Sequence, residues 1–211
     1  MRIFLLSFIT VLFFSCTNFI KQEKQENSVP VKDSLKQNDT DPYIISKATL
    51  GRLKIGCLFK DVKEIYKDCD FVKEDTHKYG LDGGGYGYCV RKNKEDLFFF
   101  WTWDNQDTVR GFYIISPKFH TRSGINTGMT SGNIKKNYPY CSIYRNDELP
   151  NIETLDLKSE GVLLIFITNE KNRVGQDYGD LENGVIAIYA QEMRKDAHID
   201  YIALKCPVTN K

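Results

Sequence analysis

The chain has 211 residues, and 29 Lys and Arg against 28 Asp and Glu leave a formal net charge of +1. A chain so nearly neutral carries no global field, which excludes nucleic acid or another polyanion as a partner held by bulk electrostatics. Aromatic residues make up 13% of the chain and fall in short runs at strand-like spacing, which favours antiparallel sheet over a helical bundle.

Met1 and Arg2 form a short basic start, and residues 3–14 are an apolar run that is too short to cross a bilayer but suits the core of a secretory signal. The run stops at Phe13-Phe14-Ser15-Cys16. A small residue just before a cysteine at this place resembles the lipobox of bacterial lipoproteins, with Phe13 standing where Leu is usual. The resemblance implies that residues 1–15 are a signal peptide, that the chain is cut before Cys16, and that Cys16 is then acylated, with palmitate among the lipid chains. Thr17 stands where an Asp marks inner-membrane retention, so the resemblance implies the outer membrane, with its periplasmic or surface side left open. Residues 16–46 are rich in Lys, Gln, Glu, Asn, Asp and Ser, show no apolar period, and read as a polar tether. As flexible coil, about thirty residues span roughly 30 Å end to end. The remaining ~165 residues suffice for one medium-sized domain, or for two small units sharing a core.

Residues 48–55 read as a strand closed by Gly56. Leu58, Val62, Ile65, Tyr66 and Cys69 then recur at helical spacing and predict an amphipathic helix of about three turns. Residues 77–89 hold five glycines without the GxxxxGK[ST] order of a phosphate loop, so this stretch predicts a hairpin tip or bulged strand. Residues 97–103 (LFFFWTW) and 109–115 (VRGFYII) predict two strands joined by a turn at Asp104-Asn105-Gln106-Asp107, whose carboxylates lack the series a calcium loop needs. A second helix is predicted over 130–138, ended by Pro139. Residues 162–168 (VLLIFIT) are read as the partner of 97–103, and 185–190 and 199–204 as further strands.

A self-match organises these elements. At an offset of 72, Gly56 falls on Gly128, Val62 on Ile134, Lys63 on Lys135, Tyr66 on Tyr138 and Cys69 on Cys141. The strand at 109–114 matches that at 199–204 at an offset of 90, so the second copy is about 18 residues longer, around residues 169–198. A Gly after a short strand, a helix ending in Tyr, and strands finishing in V-x-x-Φ-x-Φ (Φ apolar), all twice, are similar to the SmpA/OmlA outer-membrane assembly lipoproteins and the β-lactamase inhibitor proteins. Residues 119–128 (FHTRSGINTG) also resemble lipoproteins of the envelope-stress regulon. The expected fold is α+β: two tandem helix-plus-antiparallel-sheet repeats, at 47–119 and 120–206, with helices packed on one sheet face and a tail at 207–211. The resemblance implies a role in envelope assembly, envelope stress or inhibition.

Chemistry is sparse. His77, His120 and His198 lie in separate segments without ligand spacing, the five cysteines after Cys16 (Cys57, Cys69, Cys89, Cys141, Cys206) include no CxxC, and neither Ser123-Gly124 nor Ser131-Gly132 forms a GxSxG elbow. No catalytic residue, metal or cofactor is therefore expected, and one or two disulfides are. Cys89 with His120 is the pair for a thiol-dependent or hydrolytic alternative. Alternation along 97–103 puts Trp101 and Trp103 on one face, and with Tyr113 they make the candidate binding face, for another envelope protein or, alternatively, a glycan. Partners expected are thus the membrane, through the anchor, and an unidentified envelope protein, with no nucleic acid. Replacing Cys16 by Ala is expected to move the protein from the membrane fraction to the soluble fraction, read by ultracentrifugation and immunoblotting; retention at the membrane would refute the anchor.

Overall fold

Alternating apolar residues, many aromatic or β-branched, give strands wherever one or both faces can be covered, and strands account for most of this structure. The computed structural model describes residues 41–81, 86–102, 107–146, 149–178 and 187–204. The signal, Cys16 and most of the tether lie outside the described residues, as do Trp103, the turn residues 104–106, Cys206 and the tail.

The described chain begins with β1 (Ile44–Ser46), β2 (Thr49–Leu50) and β3 (Leu53–Lys54). The single strand expected over 48–55 is broken at Gly51, which has φ +54° and where a Cβ would meet the Pro42 carbonyl. Next come α1 (Phe59–Ile65), β4 (Asp70–Asp75), a 3-10 turn (Thr76–Tyr79), β5 (Tyr86–Lys92), β6 (Glu95–Thr102) and β7 (Val109–Ile114). β5 and β6 join through Asn93 and Lys94, both at positive φ (52° and 68°), the conformation of a tight two-residue hairpin. The later elements are β8 (His120–Thr121), α2 (Ser131–Asn137), β9 (Ile143–Asn146), β10 (Leu149–Leu157), β11 (Val162–Ile167), β12 (Gly175–Tyr178), β13 (Ala187–Met193) and β14 (Tyr201–Leu204).

Among the described residues, ten strands form one antiparallel sheet in the order β12-β13-β9-β10-β11-β14-β7-β6-β5-β4. A smaller sheet, β3-β2-β1-β8, contains a parallel pair, β1 with β8. The expectation of an α+β protein built from two tandem helix-plus-sheet repeats is overturned: the fold is mostly β. Each α-helix is seven residues long, about two turns, and their fully buried apolar contributions are single residues, Val62 and Ile134. Helices so short cannot form a layer of their own. The face they touch is also closed by the small sheet, through Ile45, Leu50 and Leu53, and by Phe119 just ahead of β8. The stretches 47–119 and 120–206 also share both sheets, directly through β7–β14 and, in the small sheet, through β2 and β8 on either side of β1, which lies at 44–46 in the stretch expected as tether. Nor does β11 pair with β6; it lies between β10 and β14.

The 72- and 90-residue offsets correspond to something local. The N–H of Phe59, opening α1, donates to Asp107 O (2.7 Å), and that of Ser131, opening α2, donates to Ala197 O (2.7 Å). Val109 N–H donates to Cys57 O and Ile199 N–H to Met129 O (2.8 and 3.2 Å). Each helix start is thus stitched to the segment entering a central strand, β7 or β14. Asp61 accepts from Leu58 N–H ahead of α1, while Thr130 and Asn133 cap α2 reciprocally.

The additional strands β12 and β13 extend the sheet beyond β9, and a buried carboxylate holds them. Glu153 on β10, 1% exposed, accepts from Val174 N–H (2.7 Å), Gly175 N–H (3.0 Å) and the Tyr178 hydroxyl. The Arg145 guanidinium lies over the Tyr178 ring, 5.0 Å from its centre. A carboxylate can accept all three bonds, whereas an amide presents one oxygen and a donor. Glu153→Gln is therefore expected to destabilise the fold by about 1–3 kcal/mol in urea titration, against near-neutrality for Gln at exposed Glu192.

Candidate functional site

Phe98, Phe99 and Phe100 are consecutive on β6 and all 0% exposed. Because successive side chains of a strand point to opposite faces, both faces of the sheet are covered here. Phe98 and Phe100 enter the main core, with the Tyr66 ring edge-on to Phe98 at 4.9 Å and Phe59 at 5.3 Å from Phe100. Phe99 lies on the other face, in a second cluster with Tyr79, Tyr113, Ile165 and Ala203.

The 3-10 turn Thr76–Tyr79 roofs that second cluster. Asp75 caps the turn, accepting from His77 N–H (2.9 Å) and from its Nδ1 (2.8 Å), and Gly80 closes it at φ +69°. Gly80 is also where Ile152 of β10 packs, leaving no room for a Cβ. The Tyr79 ring stacks on Phe99 at 3.9 Å and 15° and approaches Tyr201 at 5.4 Å. Its hydroxyl donates to Glu74 Oε2 (2.5 Å), which also takes the Lys78 ammonium (2.9 Å). Burial, and then the bond to Glu74, push the Tyr79 phenol well above its ordinary range.

The residues expected to form an aromatic platform are placed differently from that expectation. Tyr113 is only 9% exposed, enclosed by Tyr79, Trp101 and Tyr201, and burial pushes its phenol up to about 12. Trp101 is half-buried, its indole lying across Gly111 on β7, where any Cβ would strike the ring. Trp103 and Cys16 lie outside the described residues. Over Phe99 and Tyr113 the face is filled, because the Tyr79 turn crosses it.

The same face stays open farther along the sheet. Beyond the Tyr79 turn, Leu149, Ile152, Leu163 and Ile165 line a hollow of about 180 Å³ with Tyr113, Tyr144 and Thr154. A neighbouring hollow of about 240 Å³ runs past Gly80 to Ile167. Ile152 and Ile167 are directly opposed across β10 and β11, and Ile167 is 43% exposed. Tyr144 and Tyr189, rings 5.5 Å apart, continue the surface across β9 and β13. These residues were not singled out from the sequence. The weak alternation through Ile152, Thr154 and Asp156, interrupted by Pro150 and Glu153, was the available signal.

The four described cysteines after Cys16 (Cys57, Cys69, Cys89 and Cys141) are free thiols, so the one or two expected disulfides are not formed among the described residues. Cys89 is fully buried, and desolvation pushes its thiol up to about 12, which favours the protonated form. Its proposed companion His120 belongs to β8 in the small sheet, with Nε2 3.4 Å from Asp41 and Nδ1 3.2 Å from Lys118 O. His77 serves the Asp75 cap, and exposed His198 bridges to Thr130. No cluster of three or more metal-ligating side chains occurs among the described residues. No helix among them is long and apolar enough to cross a membrane.

No family model matches the chain, and no curated protein matches it. Among solved structures it is similar to the crystal structure of the uncharacterized protein YfeY from Escherichia coli, with 8% sequence identity and a TM-score of 0.49, over 79% of this chain and 100% of that one. A likeness at that level carries no inference about function.

Tyr79→Ala is expected to remove the roof over Phe99 and Tyr113. The fold should lose about 3–5 kcal/mol, as for other large aromatic deletions, and acrylamide should quench Trp101 more strongly in the native state.

Proposed function

We propose that this protein is a non-enzymatic envelope lipoprotein, anchored at the outer membrane through Cys16, that binds another protein through the part of its sheet face left open beyond the Tyr79 turn. The observation that carries the reading is the apolar pair Ile152 and Ile167, opposed on neighbouring strands beside the two hollows, on a face otherwise filled by side chains. Exposed apolar surface beside concave, rigidly held backbone is what the buried centre of a protein contact requires. A tether of about thirty residues, roughly 30 Å in typical span, lets such a face reach a partner in the envelope without leaving the membrane.

The test is site-specific photo-cross-linking in the native cell. A photoreactive residue replacing Ile167, which is exposed enough to tolerate it, is expected to give a discrete adduct with one envelope protein. The same probe at exposed Glu64, on α1 and across the sheet, should give none. No adduct at Ile167, or equal adducts at both positions, would refute the proposed face.

A further inference from the structure

A cavity lies away from the Tyr79 turn, between the end of α2, the turn joining β10 to β11, and β13. It measures about 540 Å³, within the range of small-ligand sites. Its walls are fixed by their own bonds. The Tyr138 hydroxyl donates to Glu160 Oε1 (2.5 Å), tying the end of α2 to the β10–β11 turn. Cys141 N–H donates to Tyr138 O (3.0 Å), and Lys135 Nζ donates to Cys141 O (2.9 Å), which holds the segment after α2 in place.

Two tyrosines stand at this cavity with little cover. Tyr140, behind Pro139, is 97% exposed, and Tyr189 on β13 is 59% exposed. Between them the polar lining mixes an amide (Asn137), a carboxylate (Asp156), an ammonium (Lys158) and the hydroxyls of Ser142 and Ser159. One negative and one positive group balance, so the site is not built for a multiply charged ligand such as a phosphate or a divalent cation. Aromatic faces receive flat apolar C–H surface, while amide, carboxylate and hydroxyl groups exchange hydrogen bonds with hydroxyls. A neutral pyranose ring combines those two surfaces.

We propose that this cavity binds an uncharged saccharide, with Tyr140 and Tyr189 contacting sugar faces and Asn137 and Asp156 taking the hydroxyls. The site differs from the face over Trp101, and it does not depend on the partner-binding reading.

Isothermal titration of the full-length lipidated protein, in a detergent that carries no sugar, tests it with chitotetraose, maltotetraose and mannotetraose as probes. At least one should bind at millimolar concentration or tighter. Tyr140→Ala and Tyr189→Ala should each weaken that binding by about tenfold or more, equivalent to ~1.4 kcal/mol. Tyr140→Phe should bind as the unmodified protein does. Tyr140 is almost wholly in solvent, so its truncation leaves the fold intact. Absence of binding by all three probes, or binding undiminished in both alanine variants, would overturn the assignment.

Discussion

Three consecutive phenylalanines with no exposure set the terms for the whole structure. The pleat sends Phe99 one way and Phe98 and Phe100 the other, so neither face of β6 is left to water. Burying an aromatic side chain removes roughly 150–250 Å² from solvent, and both covers must be supplied by other parts of the chain. On one side they are the small sheet and the two short helices, contributing Ile45, Leu50, Leu53, Phe119, Val62 and Ile134. On the other it is one 3-10 turn that lays Tyr79 flat on Phe99. The second cover is short, and for that reason the face it protects is only half filled.

The architecture follows from where strands meet. β7 and β14 pair at the middle of the ten-stranded sheet, and each is entered through a segment bonded to the start of a helix. Because both halves lean on this shared pairing and on β1 with β8, neither is a separate helix-and-sheet unit. The ends of the sheet are managed differently. β4 is an edge with Asp70, Lys73, Glu74 and Asp75 along it, a composition that discourages further strand addition. The opposite end is lengthened by β12 and β13, secured through Glu153. A carboxylate in a core is tolerated there because two amides and a phenol satisfy it.

This division of the sheet bears on function. The roofed half serves stability, with Tyr113 and much of Trp101 spent on packing. The unroofed half carries Ile152, Ile167, Tyr144 and Tyr189, held on paired strands rather than on loops, and rigid support of this kind lowers the ordering entropy that binding costs. The larger cavity beside Tyr140 borders that half through Tyr189, where the segment after α2 is tied to the β10–β11 turn.

Features governed by neighbouring residues were legible in the sequence. The aromatic strands β6 and β7 and the helical spacing that buries Val62 and Ile134 express local periodicity. Local patterns had limits even here. The hairpin at Asn93-Lys94 was missed because Lys stands where Gly is the usual signal, and the bonds from the helix starts to Asp107 and Ala197 join residues too far apart in the chain for periodicity to reveal. Strand order, the Tyr79 roof, the burial of Tyr113 and the satisfaction of Glu153 were decided only by the tertiary structure. Each depends on contacts between residues far apart in the chain, and alternation along a strand says which side chains share a face without saying what will cover it.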